Sequence, residues 1–468
     1  MRRIIPSMAV PLLLLCLGVA RISAQQQNPF LGSAPAGEAT GPPLTLSLAD
    51  ALERGLRQNL GVLLEEQRLH QVEGDRWRLL AGLLPDASAA INEARQKVNL
   101  AAFGFSGFPG TPDVIGPFNV FDARVAVTQP VLDISAIYEA RQGSAQLRAG
   151  QHAYEDARHV VVLVVTDLYL QVIAAQSRVD AARAEFATAE SLYVLAVDQN
   201  NAGVVPRLDV LRADVERKTA AQRRIAAENE TARARTALAR AIGLPWMQAY
   251  SLADAMAYAP LQDPDPAMLR QKAFAHRPDV LRAQAEVEAA RASASAARAA
   301  RLPSVTVDGN YGWIGSAPAT AEGTFAVAAN VHVPLFAAGE TRAREIDAQA
   351  GLRQRELQLQ DLRARVSYEI DTALRDLGAA AQQVEVARSA TDAAAEALTQ
   401  ARDRFGAGVA TNIEVVQAQQ AAAAAREGYI AALYAHNIAK AVLAKAVGAD
   451  EQQFIRILGG ESPWTNRR

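Results

Sequence analysis

Cysteine is nearly absent from this chain of 468 residues: Cys16 stands alone, so no disulfide within the chain can staple the fold. Aromatic residues make up only 6%, and much of the 50% hydrophobic share is alanine. Such a balance argues against a bulky globular core and, with Leu, Glu, Arg and Gln, favours long helices. Charge of one sign is also lacking; a net charge of −2 offers no basic field for nucleic acid. No HExxH, GxSxG nucleophile elbow or P-loop occurs. Gly104, Gly107 and Gly110 lack the GxGxxG spacing, and no helix is expected after them. The histidines (His70, His152, His159, His276, His332 and His436) form no cluster with carboxylates at ligand spacing, and His152 and His159 read as surface positions on one helix. The chain therefore has no motif for an enzyme, a metal or a cofactor. Beyond the N-terminus, no stretch reads as long and apolar enough for a transmembrane helix.

The N-terminus is MRRIIPSMAVPLLLLCLGVARISAQ. Arg2 and Arg3 form a positive start, Val10–Val19 a short apolar run, and Ile22-Ser23-Ala24 a cleavage site before Gln25. Residues 1–24 thus read as a secretory signal, and losing Arg2, Arg3 and Arg21 takes the net charge from −2 to −5. Leu15 precedes Cys16 where a lipid-bearing cysteine follows a small residue, so Cys16 reads as part of the apolar run.

What is present is a repeat. NAGVVPRLDVLRA at 201–213 returns as GAGVATNIEVVQA at 406–418, an offset of 205. Val165, Leu168, Val172, Ala175 and Val179 begin a 3,4 spacing that runs to Ala196. At the same offset stand Ile370, Ala373, Leu377, Ala380 and Val384, running to Ala401 and broken only by Thr391. This is the seam of coiled-coil helices, with alanine allowing close approach. Upstream the offset is 218: Leu84-Pro85 matches Leu302-Pro303, and ALERGLRQNLGV at 51–62 matches LRQKAFAHRPDV at 269–280. The length difference falls in the Gly-, Pro- and Phe-rich loop FGFSGFPGTPDVIGPF.

Around the loops the period becomes two, as in Phe121–Thr128, Ser304–Trp313 and Phe325–Val333. A fourth strand, from Pro85 to about Asn99, alternates poorly. Pro85, Pro130, Pro303 and Pro334 stand at the four helix–strand junctions, as punctuation or as a required bend between two architectures. The reading is a signal (1–24), an N-terminal linker (25–44), and a first repeat (45–245) with strands about 85–99 and 118–131 and a turn at 200–207. A linker (246–264) leads to a second repeat (265–448) with strands about 303–315 and 323–336 and a turn at 405–412; a tail (449–468) is given no role. About 65 residues from Ser135 make roughly 100 Å of helix, and the segments Asp50–Leu83 and Leu208–Ile242 placed end to end match it. Each chain would offer four helical staves. Four strands cannot close a membrane barrel, for which about eight is the minimum, so several chains would share one.

LSLADALERGLRQN at 46–59, VTQPVLD at 127–133, VHVPLFAAGE at 331–340 and the two turn segments carry a resemblance to the TolC-like outer membrane efflux proteins over roughly residues 45–448. The resemblance implies a mainly α chain with a β-barrel part. A homotrimer would share a twelve-stranded barrel in outer membrane lipid, continuous with a twelve-stave helical tunnel in the periplasm. It implies a passive exit duct for a tripartite efflux pump or type I secretion system. An inner-membrane transporter would supply the energy, and a periplasmic adapter would dock at the tunnel tip. The two turns would be that tip, one from each repeat.

Carried over by the resemblance, the gate would involve Asp209, Glu414 and Gln417, of which Glu414 keeps the family's acid and Gln417 does not. A family arginine that latches the tip would fall on Ala410. The adapter would contact Gly203, Val204, Gly408, Val409 and Thr411. The alternative for Glu414 is a helix-start carboxylate favoured by the macrodipole, and for the glycines, turn chemistry alone; Thr411 or Asn412 would cap the second helix. Phe103, Phe105, Phe108, Phe118, Tyr311 and Trp313 would form an interfacial girdle or pack the loops. The competing function is a periplasmic coiled-coil adapter or scaffold without a pore; an exported enzyme is disfavoured by the missing motifs.

Overall fold

A computed structural model describes residues 28–459 except 36, 40, 105–111, 262–264 and 336–338. The signal with Cys16, the girdle candidates Phe105 and Phe108, and the tail beyond Gly459 lie outside the described residues. In chain order the elements are β1 (Leu44–Leu46), α1 (Leu48–Gln58), α2 (Leu60–Ala81), β2 (Asp86–Asn99), β3 (Val114–Leu132), α3 (Ile134–Asn201) and α4 (Arg207–Ala241). There follow β4 (Tyr250–Leu252), α5 (Pro266–His276), α6 (Pro278–Ala299), β5 (Ser304–Gly315), β6 (Glu322–His332), α7 (Glu340–Gly406), α8 (Asn412–Val447) and α9 (Glu451–Leu458).

The expected single helix over 50–83 is two helices. Asn59 ends α1 and starts α2, with its backbone in the extended region. Its side chain is fully buried: the carbonyl accepts from Gly61 N–H at 2.9 Å, and the amide donates to Phe30 O (2.8 Å) and Ala241 O (3.1 Å). The second repeat breaks at the equivalent place by other chemistry. Pro278 cannot continue α5, and Arg277 before it is extended. The buried Arg277 guanidinium donates to Ala446 O at 3.1 Å, to Glu369 at 2.7 Å and to Asp279. Ala241 and Ala446 are themselves 205 residues apart, so each repeat fastens its break to the same carbonyl. The helix that stacks end to end on α4 is therefore α2 alone, and α1 turns aside to pack Gly55 on Val165. The stacked pairs α2/α4 and α6/α8 hold 57 and 58 residues against 68 in α3 and 67 in α7.

The core lies midway along the staves and shows the repeat: Val165 with Ile370, Val172 with Leu377, Leu238 with Leu443 and Ile242 with Val447 are all buried in one cluster. The inter-repeat linker is structured, since β4 pairs in parallel with β1. Part of the tail is too: α9 buries Phe454 and Ile457 in the core, which gives residues 449–458 a packing role that their sequence does not announce. Lys440, fully buried on α8, ties both segments down by donating to Ala259 O (3.0 Å) and Leu458 O (2.6 Å). Against the sequence reading, α3 and α8 each contain a window long and apolar enough to cross a membrane, but 61% and 67% of those windows are buried by other helices. His152 and His159 are half-buried rather than on the surface, His152 lying 2.9 Å from Glu155.

The four long strands form one antiparallel sheet in the order β2-β3-β5-β6, leaving β2 and β6 as edges among the described residues. Register puts Ala89, Val125, Tyr311 and Phe325 on one face, with Ile91, Ala123 and Trp313 beside them. On the other face Asp308 accepts from Thr128 and Asn330, both at 2.6 Å, and Arg124 pairs with Asp122 at 2.7 Å. The poorly alternating strand β2 pairs along nearly its whole length. Pro130 lies inside β3, beside a register shift, rather than at the strand's end. A bulge tolerates the missing N–H. Pro85 and Pro303 immediately precede β2 and β5, and Pro334 follows β6.

Two stability predictions follow from the buried polar groups. Asn59→Ala strips the buried Ala241 O and the half-buried Phe30 O of their donor and α2 of its cap, and is expected to cost about 2 kcal/mol, read as a lowered denaturation midpoint. His436 is fully buried with neither ring nitrogen bonded, and burial, with Lys440 one turn on, pushes it down to about 4 from an ordinary 6.5. The native state therefore holds it neutral. Its contribution is complete above pH 6.5 and is lost as pH falls toward 4, by about 3 kcal/mol in all. In denaturation series across that range, His436→Phe should flatten the slope.

Candidate functional site

The chain reverses direction at two helix ends, and both use the same hydrogen bonds. After α3, Gly203 N–H donates to Asn200 O (3.0 Å) and Val204 N–H to Gln199 O (2.8 Å). After α7, Gly408 N–H donates to Phe405 O and Val409 N–H to Arg404 O, both at 3.0 Å. Gly203 and Gly408 have φ of +73° and +72°, the left-handed conformation that closes such a motif and that a Cβ disfavours. The valines that follow are 63% and 67% exposed, so each tip presents a small apolar knob.

The outgoing helices start differently. Pro206 opens α4 with no side-chain cap; instead Asn200 Nδ2 donates to Val205 O at 2.8 Å and stiffens the turn. Thr411 opens α8, and the Glu414 carboxylate lies 3.4 Å from both its N–H and its hydroxyl. This is a helix-start role for Glu414, with Arg404 3.8 Å away on the incoming helix. Asp209 pairs with Arg212 one turn on, at 3.3 Å. Gln417 is exposed on α8. Ala410 is half-buried against a small apolar cluster of Leu192, Phe405 and Val415, so apolar packing stands where the family arginine would.

Sequence reasoning assigned Asn412 at most to capping. It is 97% buried, and its side-chain amide donates to the main-chain carbonyl of Asp209 at 2.8 Å, joining the two tips. Arg404 was likewise unforeseen. Phe405 and Val415 were findable as large apolar residues flanking the turn, whereas nothing local marks Asn412. Among the described residues no group of His, Cys, Asp and Glu is arranged to hold a metal ion. Since a Cβ on Gly408 would meet nothing within 4 Å, Gly408→Ala should cost only the φ strain, about 1 kcal/mol. Hydrogen exchange should show faster exchange at Val409 N–H with an unchanged global melting temperature.

The comparisons with known proteins agree with this architecture. The outer membrane efflux protein family matches residues 81–244 and 269–449, one stretch in each half. The pyoverdine export outer membrane protein OpmQ of Pseudomonas aeruginosa is 28% identical over 429 residues, 89% of this chain and 87% of that protein. The alkaline protease secretion protein AprF of the same organism is 23% identical over 450 residues, 91% of this chain and 92% of that protein. In fold, the chain is similar to the CmeC outer membrane channel of Campylobacter jejuni, with a TM-score of 0.76 and 17% identity over 98% of both chains. The open-state MtrE outer membrane channel of Neisseria gonorrhoeae gives 0.74, with 18% identity over 89% of this chain and 91% of that one. With both of its halves matched, the chain belongs to the outer membrane efflux protein family.

Proposed function

We propose that three copies of this chain form the outer membrane exit duct of a tripartite efflux or type I secretion system. The observation that carries this reading is the four-stranded sheet. Its two edges are unpaired among the described residues, and one face exposes Ile91 (77%), Phe325 (77%), Val327 (72%) and Val331 (66%). Such a sheet needs lipid for its face and neighbours for its edges. Edge β6 of one copy pairs with β2 of the next, and three copies close a twelve-stranded barrel with the Asp308, Thr128 and Arg124 face toward the lumen. Tyr311 and Trp313, in edge-to-face contact at 5.3 Å, stand at the lipid interface with Phe103, whereas the register puts Phe118 on the Arg124 face. The four staves of each copy continue the barrel as a tunnel, and Pro85, Pro303 and Pro334 mark the change between strand and helix, with Pro130 just inside the end of β3.

The division into repeats 45–245 and 265–448 gives each copy two tips in the periplasm. An adapter contacts Gly203, Val204, Gly408, Val409 and Thr411 there, and an inner-membrane transporter supplies the energy. Three copies of Asp209, Glu414 and Gln417 surround the aperture, and the acidic Glu414 biases it toward cations. Residues 1–24 direct export and are cleaved near Ala24. A pore-free periplasmic scaffold would leave the apolar sheet face in water, and membership of a channel family does not favour it.

Extraction from isolated outer membranes followed by intact mass measurement in detergent tests the assembly. A mass of three chains is expected. A stable single chain, or recovery from the soluble periplasm, would sink the duct reading.

A further inference from the structure

The apolar face of the sheet ends abruptly on one side. On β5 it runs from Val305 to Trp313, and neither these outward positions nor those opposite them on β2, β3 and β6 carry a charge. That stretch is about 27 Å of strand, or about 20 Å of height at a tilt near 40°, against an apolar band of about 25 Å in membrane barrels. Past the Trp313 row the pattern changes. On β2 the same face continues with Glu93, opposite Phe121, and Arg95, opposite Asn119. Lys97 follows on that face by alternation, because the extra residue of the register shift lies on β3: Gln96 pairs with Phe118 and Val98 with Ile115. β6 begins at Glu322, level with Ile314 and Asp122, so β2 and β3 stand taller than β5 and β6 and carry the two cations on their outer part. Arg95 and Lys97 are exposed. Among the described residues no carboxylate, Glu93 included, lies within ion-pair distance of either.

We propose that Arg95 and Lys97 form a binding site, one per copy, for the phosphate groups of the glycolipid in the outer leaflet of the membrane. The proposal rests on the duct reading, in which the sheet end farthest from the helices faces the outside and the Tyr311/Trp313 row marks the outer interface. Headgroup phosphates lie just beyond that row, and Arg95 stands four residues past Ile91, about 13 Å along the strand. A guanidinium fork matches two phosphate oxygens, and an ammonium two residues on adds a point charge on a long stem. With no carboxylate paired to them, neither cation has to give up a partner to bind an anion. Asn119, opposite Arg95, is neutral and leaves the site open to the lipid. Glu93, one row nearer the membrane, is the only acid on this face of the paired rows and opposes an anion there.

Native mass spectrometry of the full-length protein in mild detergent tests this. The probe is bisphosphorylated lipid A, its dephosphorylated form controls for the acyl chains, and inorganic phosphate serves as competitor. Wild-type trimers are expected to take up as many as three phosphorylated molecules and to hold the dephosphorylated form about tenfold more weakly or worse. The double variant Arg95→Gln/Lys97→Gln should bind phosphorylated lipid A about thirtyfold more weakly, the factor that two cations at an anionic lipid surface carry together, with dephosphorylated binding unchanged. Glu93→Gln should tighten the phosphorylated form. If the double variant does not assemble, Glu93→Gln and the dephosphorylated control decide. Wild-type trimers that bind both lipid forms alike, or neither, overturn the site, as does a double variant that matches wild type. Displacement of lipid A by an equal concentration of inorganic phosphate overturns the lipid as the source of the phosphate. A chain that stays single in detergent overturns the duct reading instead.

Discussion

The architecture depends on one kind of contact, the bond that joins the end of a long helix to the start of the half-helix stacked upon it. In the first repeat the buried amide of Asn59 donates to Ala241 O; in the second the buried guanidinium of Arg277 donates to Ala446 O. Each contact satisfies a carbonyl at a helix C-terminus that would otherwise be orphaned. Without such a joint, α2 and α4 could not act as one stave beside the unbroken α3. The two solutions differ in kind. Asn59 is neutral and needs no counter-charge, while Arg277 is held charged by Asp279 and Glu369, and Asp279 in turn by Arg277. Losing Asp279 would leave the buried guanidinium with only the half-exposed Glu369 as counter-charge.

The joints also explain where the core lies. A bundle about 100 Å long cannot be stabilised uniformly by alanine seams, which bury little area per turn. Valine, leucine, isoleucine and Tyr169 concentrate instead around the joints, where α1, α5, α9 and the β1/β4 pair add further cover. Toward the tips the apolar content thins to the small cluster of Leu192, Phe405 and Val415. The molecule is thus most heavily packed at its middle and least so at the tips, where the proposed duct would open. There, specific polar contacts such as Asn412 with Asp209 count for more than buried area.

At the other end, the sheet reverses the usual arrangement of a soluble protein. Its large apolar side chains are the exposed ones, and its hydrogen-bonded polar groups line the opposite face. Period-two patterning serves this as well as it serves a sandwich, because alternation says which side chains share a face and not what covers it. In the proposed duct, the covering lipid and the neighbouring strands are supplied from outside the chain.

Much of this was legible in the sequence because it is periodic or repeated. The seam from Val165 to Ala196, its copy at plus 205, the alternating strands and the glycines at 203 and 408 follow from local rules: helical pitch, pleat and the left-handed turn. Poor alternation did not prevent β2 from forming, since pairing with β3 outweighs weak propensity. The break at Asn59 was not visible, because asparagine inside a helical pattern stops the helix only when distant carbonyls, Phe30 O and Ala241 O, reward the break. The α9 segment was missed for the same reason, its Phe454 and Ile457 being too few to signal a core that other helices complete. Asn412 is the clearest case. Its sequence context offers only a helix start, and its partner lies 203 residues away, brought within 2.8 Å by the folding of both hairpins. Sequence alone determined which segments form helices, strands and turns, because those obey periods of a few residues. Tertiary structure decided how the hairpins are fastened, because that depends on carbonyls that only the assembled fold places within reach.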